Sequence, residues 1–321
     1  MISKIDVHHH ILPPRFKEAW DKNPDLSQGM RLPPWSPETS LEFMERHNIE
    51  TSILSLGAPA TSMGSDIGSI AAFCREMNEY TSSLCKQYPK KFGFFATLPS
   101  LEDVNVCIDE IRYSLKELKA EGVNLLTSYG GRYLGHPDFR PVWDELNQLG
   151  AIVFIHPGLE TAGKPIVEPR LLPKPIFDWT HETTRTAVHL ITTDTLRTHP
   201  NCRVILPHGG GTLPYIVHRI ANLSAEFNLI DKTADEFLKE AKNFYFDLAF
   251  AGYDEPLRLL LDFAEPGHIL YGTDYPFGRE NLVATQSTQI NNVLKGRKDE
   301  KLIYRDAALK LWTKFDVSRM K

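Results

Sequence analysis

The sequence predicts an α/β fold, a (β/α)8 TIM barrel forming one domain over residues 1–321, and three observations carry that expectation. Eight short β-rich runs recur along the chain with helical spacing between them. Runs such as Ile152-Val153-Phe154-Ile155 are continuously apolar, as strands of a parallel sheet covered on both faces must be. No low-complexity tract or change of composition marks a second domain in a chain that is 42% hydrophobic and 24% charged. The alternative is an open doubly wound sheet, but no G-x-G-x-x-G follows the first run.

The strands are expected at 4–8, 51–56, 92–98, 122–127, 151–156, 203–208, 244–250 and 268–272. The first leads into Asp6-Val7-His8-His9-His10, where strand alternation turns His8 and His10 to one face and His9 to the other. Two imidazoles aimed at one point are a way of presenting nitrogen ligands to a divalent metal. A purification tag would carry more histidines and would not sit between Ile5 and Ile11-Leu12. The connection 11–37 is long and holds Trp20, Arg31 and Trp35. Residues 101–121 space Val104, Cys107, Ile108, Ile111 and Leu115 as one helical face. Strand five ends at His156-Pro157, and a second long connection, 157–180, ends Phe177-Asp178-Trp179 before a helix expected at 183–196. Strand six ends His208-Gly209-Gly210-Gly211, strand seven carries Asp247, and strand eight runs into Gly272-Thr273-Asp274. The carboxyl ends of barrel strands share one rim, so His8, His10, His156, His208 and Asp274 should converge there. Both long connections leave that rim with aromatics able to wall a flat ligand.

A net charge of −5, a pI near 6.2 and scattered basic residues give no patch for a phosphate backbone, so no nucleic-acid partner is expected. No apolar run approaches the ~20 residues of a membrane span, and Cys74, Cys85, Cys107 and Cys202 lack C-x-x-C spacing. A cytoplasmic location away from membranes is the resulting expectation.

D-x-H-x-H, F-I-H-P, H-G-G-G and G-T-D-Y-P at these strand ends resemble the amidohydrolase superfamily, in its branch containing aminocarboxymuconate semialdehyde decarboxylase, over essentially the whole chain. Residues 4–10, Tyr133-Leu134-Gly135-His136, Phe177-Asp178 with His181-Glu182-Thr183, and the stretch 208–219 are similar to fungal 6-methylsalicylate decarboxylases. The resemblance implies one divalent metal, zinc or manganese, on His8, His10, His156 and Asp274, with His208 beyond it as an acid-base residue. Binuclear members carry a carboxylated lysine on strand four, whereas here that strand reads Val123-Asn124-Leu125-Leu126-Thr127. Gly211 stands where some phenolic-acid decarboxylases of the branch carry a glutamate. Arg219 lies eleven residues after His208, about 16 Å along a helix and too far to reach its own site. The resemblance sends it into the neighbouring subunit, implying a homodimer or dimer-based oligomer, and Arg31 resembles a second carboxylate-binding arginine. Phe177 and Trp179 are further candidate substrate contacts.

The implied reaction is non-oxidative decarboxylation of a small aromatic carboxylic acid of salicylate type, 6-methylsalicylate to 3-methylphenol being the favoured case, with Asp274 as proton donor. A mononuclear lactonase-like hydrolase would use the same five residues and is the alternative. A barrel retained only for binding is the third reading. Asp178, Glu182 and Arg185 are expected to form a structural ion network, and Asp247 to orient a ligand histidine.

Overall fold

Eight parallel strands pair in chain order: β1 (Lys4–Ile11), β2 (Ile49–Leu56), β3 (Phe92–Thr97), β4 (Gly122–Leu126), β5 (Ile152–His156), β6 (Arg203–Leu206), β7 (Tyr245–Asp247) and β8 (Ile269–Leu270). The computed structural model describes residues 2–22, 31–57, 66–159, 162–163 and 166–316. The two ends of this sheet meet. Val7 N donates to Tyr271 O at 3.0 Å, Asp274 N to His8 O at 2.8 Å and His10 N to Tyr275 O at 2.6 Å, so the chain leaving β8 continues the ladder onto β1 and closes the barrel. The open-sheet alternative is thereby excluded.

Apolar side chains divide between two layers, as a closed parallel barrel requires. Outside the strands, Leu54, Phe94, Leu125 and Val153 pack with helix residues such as Phe43, Ile111, Trp143 and Leu190. Inside, Ile5, Val7, Ile53, Phe95, Phe154, Ile205 and Leu270 fill the barrel. The C-terminal helix Ala307–Leu311 and the turn after it close the end opposite the rim. Trp312 there sets its ring 5.8 Å from Phe95 and donates from Nε1 to Glu121 O at 2.9 Å.

Three expectations are corrected in detail. The connection 11–37 is not all loop: Pro13-Pro14 starts a helix, Pro14–Asp21, which buries Phe16 and Trp20 four residues apart. The helix expected at 183–196 runs instead over Asp178–Thr192, beginning more than a turn earlier, and the hydroxyls of Thr183 and Thr184 bond back within it to the carbonyls of Trp179 and Thr180. The seventh strand stops at Asp247 instead of 250, where a turn closed by Ala251 N on Leu248 O takes over. Among the described residues, no helix is long and apolar enough to cross a membrane.

Candidate active site

The site is built on an irregularity in β1. Pairing with β2 passes from Asp6↔Ser52 to His9↔Leu54, so β1 spends one residue more than its partner. Such a bulge re-aims the side chains beyond it. Val7 remains in the interior apolar cluster, and His8, next in sequence, also faces inward, its ring 5.0 Å from Phe154. Alternation then resumes as expected. His10 turns inward, while His9 turns out to Ser40 Oγ at 3.1 Å and to the ring of Tyr275 at 4.8 Å. Asp6, fully buried, accepts from Thr273 N, Thr273 Oγ1, His8 N and His9 Nδ1, which pins the bulge to the chain beyond β8.

The ligand-type atoms of His8, His10 and His156 all lie within 4.8 Å of one another, as do those of His8, His208 and Asp274. The far nitrogens of His8, His10 and His156 are anchored. Asp247 Oδ2 accepts from His8 Nδ1 at 2.8 Å, Pro157 O from His156 Nδ1 at 2.9 Å, and Ser55 Oγ lies 3.0 Å from His10 Nδ1. A neutral imidazole that donates from Nδ1 carries its lone pair on Nε2, so these partners turn three lone pairs toward one centre. Asp274 Oδ1 joins them, 3.0 Å from His10 Nε2 and 3.4 Å from His8 Nε2, yet buried without a hydrogen bond. Three imidazole nitrogens and an orphaned carboxylate oxygen, each imidazole braced from behind, are the donor chemistry of a borderline divalent cation. The residues therefore fit a metal.

Electrostatics keep two of these three imidazoles neutral. Burial and the neighbouring histidines hold the His156 imidazole well below its ordinary value, and burial lowers His10 as well. Burial would do the same to His8, but Asp247 and Asp274 outweigh it and raise the group to about 9. Burial opposes ionisation of Asp274, yet the imidazoles of His8, His10 and His208 hold its carboxyl well below the usual range. Asp274 is thus an anion beside a protonated His8, and a cation binding here would take the place of the His8 Nε2 proton.

His208 stands at the edge of this group with Nε2 3.6 Å from Asp274 Oδ2 and Nδ1 without a partner. Only its backbone is tied, its N–H donating to Asp247 Oδ1 at 3.1 Å. Trp179, on the first turn of its helix, crosses the His156 ring edge to face at 5.4 Å, and its Nε1 is buried without an acceptor. Glu182 on the same helix accepts from Tyr133 Oη at 2.9 Å and from Ala162 N at 2.9 Å, and stands 3.8 Å from Arg185. These contacts tie the loop after β5 to the helix that carries Trp179. Asp178 is not part of that ion pair; its carboxylate lies against Gly163.

Other candidates stay apart. Phe177 is 45% exposed with its ring 4.7 Å from His181, and Arg31 is exposed, so neither packs on the histidine cluster. Arg219 lies on the exposed side of the helix Leu213–Glu226 and forms no ion pair among the described residues. Several site residues escape the sequence reading: Ser55 behind His10, Phe154 beneath His8, Phe277 with its ring 5.5 Å from His10, and Phe250 stacked over His208. Ser55 was legible as the inward-facing penultimate residue of β2, whereas Phe250 and Phe277 lie on turns with no periodicity to mark them.

Residues 5–313 match the family model described as Amidohydrolase. The chain is 42% identical to "Decarboxylase yanB" of Aspergillus niger over 98% of this chain and 89% of that protein. It is 43% identical to the 6-methylsalicylic acid decarboxylase acuB of Aspergillus aculeatus over 85% of this chain and 84% of the other. Among solved structures, the 2,6-dihydroxybenzoate decarboxylase from Rhizobium superposes with a TM-score of 0.78 at 26% identity, covering 98% of this chain and 99% of its own.

Proposed function

The chain belongs to the amidohydrolase family, and from that premise we propose that it is a metal-dependent decarboxylase of salicylate-type acids, converting 6-methylsalicylate to 3-methylphenol. The observation that carries this reading is the convergence of His8, His10, His156 and Asp274, with His208 beside them, in a chain more than 40% identical to named fungal decarboxylases. Residues 1–321 act as one barrel domain, with one zinc or manganese ion on those four groups.

A bound divalent cation would supply a Lewis acid and a template at this point. The chain's own residues do the rest. Trp179 offers an indole N–H to an anionic oxygen of the acid, and the aromatic rings of Trp179, Phe250 and Phe277 border the histidines. Decarboxylation needs one proton on the ring carbon that loses the carboxylate, and no water is added. Asp274 delivers that proton. Because its neighbours favour the carboxylate so strongly, this role requires substrate binding to raise the proton affinity of Asp274, and His208 Nε2, 3.6 Å from Oδ2, is the group placed to supply the proton. The apolar surround favours this chemistry over lactone hydrolysis, which needs a retained water. Arg219 is assigned to the acid's carboxylate in the neighbouring subunit of a homodimer, with Arg31 and Phe177 as outer contacts. The acidic balance and scattered basic residues speak against a nucleic-acid partner, and the cysteines without C-x-x-C spacing and the lack of a long apolar run support a cytoplasmic enzyme away from membranes.

The test is incubation of metal-loaded protein with salicylate, 6-methylsalicylate and 2,6-dihydroxybenzoate while released carbon dioxide and the phenol are measured. Carbon dioxide and 3-methylphenol should appear in equal amounts, cease with a chelator and return with zinc or manganese. Turnover of lactones with no carbon dioxide from any aromatic acid would replace this reading with the hydrolase.

A further inference from the structure

Three consecutive strands are followed within four positions by a non-glycine residue held at positive φ: His208 after β6 at 55°, Phe250 after β7 at 53° and Asp274 after β8 at 57°. Bulky side chains rarely adopt the left-handed region, and where they are held there the cause is often functional. The other such residues among those described are Asn48, Lys90, Lys119, Asp194 and Asn228, all polar. Phe250 is the one apolar side chain in the set. It is also 38% exposed, so core packing does not explain the conformation.

The turn that holds it is fixed at both ends to the site. Asp247 Oδ1 accepts from Ala249 N at 2.9 Å and from His208 N at 3.1 Å, while its other oxygen accepts from His8. Gly209 has no room for a side chain against Ala251, so the turns after β6 and β7 are in direct contact. The Phe250 ring consequently lies nearly parallel to the His208 imidazole, 6.1 Å between centroids at 12°. Among the described residues no hydrogen bond holds that imidazole, with Nδ1 unpartnered and Nε2 3.6 Å from the nearest carboxylate oxygen. Its remaining ring contacts, His8 at 5.1 Å and His156 at 6.3 Å, are both with the ligand histidines.

We infer that Phe250 is a positioning residue: its ring, presented by the strained turn after β7, sets the plane of the otherwise unheld His208 imidazole. The inference rests on the reading of His208 as the proton-handling group. A histidine braced on one face by an apolar ring keeps both nitrogens free for proton transfer, which a hydrogen-bonded brace would not allow.

The experiment compares Phe250→Ala, Phe250→Gly and Phe250→Tyr in the metal-loaded enzyme, alone and combined with His208→Ala. Phe250→Gly suits the positive φ and guards against misfolding. Loss of the ring should lower kcat for 6-methylsalicylate by roughly 10- to 100-fold with little change in KM or metal content, the scale of a misplaced catalytic group. Phe250→Tyr should retain most of kcat, and in the His208→Ala background the alanine variant should cost nothing further. A second readout does not depend on turnover. In zinc-loaded protein the His208 ring C–H resonances, identified by their loss in His208→Ala, should shift when the Phe250 ring is removed. Unchanged kcat and unchanged resonances would overturn the inference, as would an undiminished effect in the double variant. A shift in the resonances of an enzyme inert toward every aromatic acid would uphold the bracing and discard the proposed reaction.

Discussion

The imidazoles of His8, His10 and His156 are each specified by the atom behind them, and that makes their chemistry predictable. Asp247 accepts from His8 Nδ1 with one oxygen and from two backbone N–H groups with the other. In Asp247→Asn the amide oxygen can keep the backbone pair, which turns the NH2 group toward His8 Nδ1 and forces that nitrogen to accept. The His8 proton then moves to Nε2 and occupies the lone pair the metal needs. Metal affinity should fall by roughly 10- to 100-fold while the fold persists, measured by competition with a chelator; unchanged affinity would show that the tautomer of His8 is set elsewhere. Trp179 gives a separate test. Trp179→Phe keeps an aromatic ring beside His156 but removes the buried, unpartnered N–H. A hydrogen bond to a charged acceptor contributes about 1.5–3 kcal/mol, so binding of salicylate, followed by its fluorescence, should weaken by roughly 10-fold or more. Equal affinity would remove the indole N–H from substrate recognition. The identities of the metal-type donors were legible in the sequence because they fall at strand ends. The braces were only partly legible: Asp247 shares that position, whereas Phe250 acts through a turn whose strained φ no sequence pattern announces.

At the scale of elements, strand count, order and parallel pairing follow from the β-rich runs, and the differences lie where strands meet the rim. β7 is shorter than its apolar run because a buried aspartate within it accepts from its own turn, and β1 is longer because the bulge lets it continue past the ligand pair. Alternation explains why His8 and His10 share a face but not why Val7 does as well; that depends on pairing with a strand more than 40 residues away. Asp6 is the residue that pins the bulge, satisfying two groups of Thr273, the N–H of His8 and His9 Nδ1. Asp6→Ala leaves several buried donors without an acceptor at a cost of about 1–3 kcal/mol each. Urea unfolding of the metal-free protein should show a loss of at least about 3 kcal/mol, and metal affinity should fall with it because the first strand is no longer held against the eighth. A stability loss below about 1 kcal/mol would mean that the barrel closes without this carboxylate.

At the scale of the molecule the barrel separates its duties: the end opposite the rim is closed by Trp312 and Phe315, while the rim gathers donors from β1, β5, β6 and the segment after β8. This chain's site has no arginine against the histidine cluster among the described residues, although a carboxylate substrate calls for a planar cationic fork. The helix after β6 carries Arg219 exposed and without an ion pair among the described residues, on the same exposed side as Tyr215, 81% exposed, with Leu223 also exposed further along. An unpaired arginine among exposed apolar side chains suits a second copy of the chain, which would cover the apolar residues and take the arginine into its own rim. If Arg219 works in the neighbouring subunit, Arg219→Ala and Asp274→Asn chains should each be nearly inactive alone but complement each other when mixed. In a mixed dimer one site keeps its own Asp274 and receives the intact Arg219 of its neighbour. With free exchange of equal amounts, half of the dimers are mixed, and each holds one complete site of two, so recovery should approach a quarter of the wild-type activity. Activity that stays at the level of the separate variants, with exchange verified by differently tagged chains, would return Arg219 to an ordinary surface role and leave recognition of the carboxylate to the metal centre and Trp179.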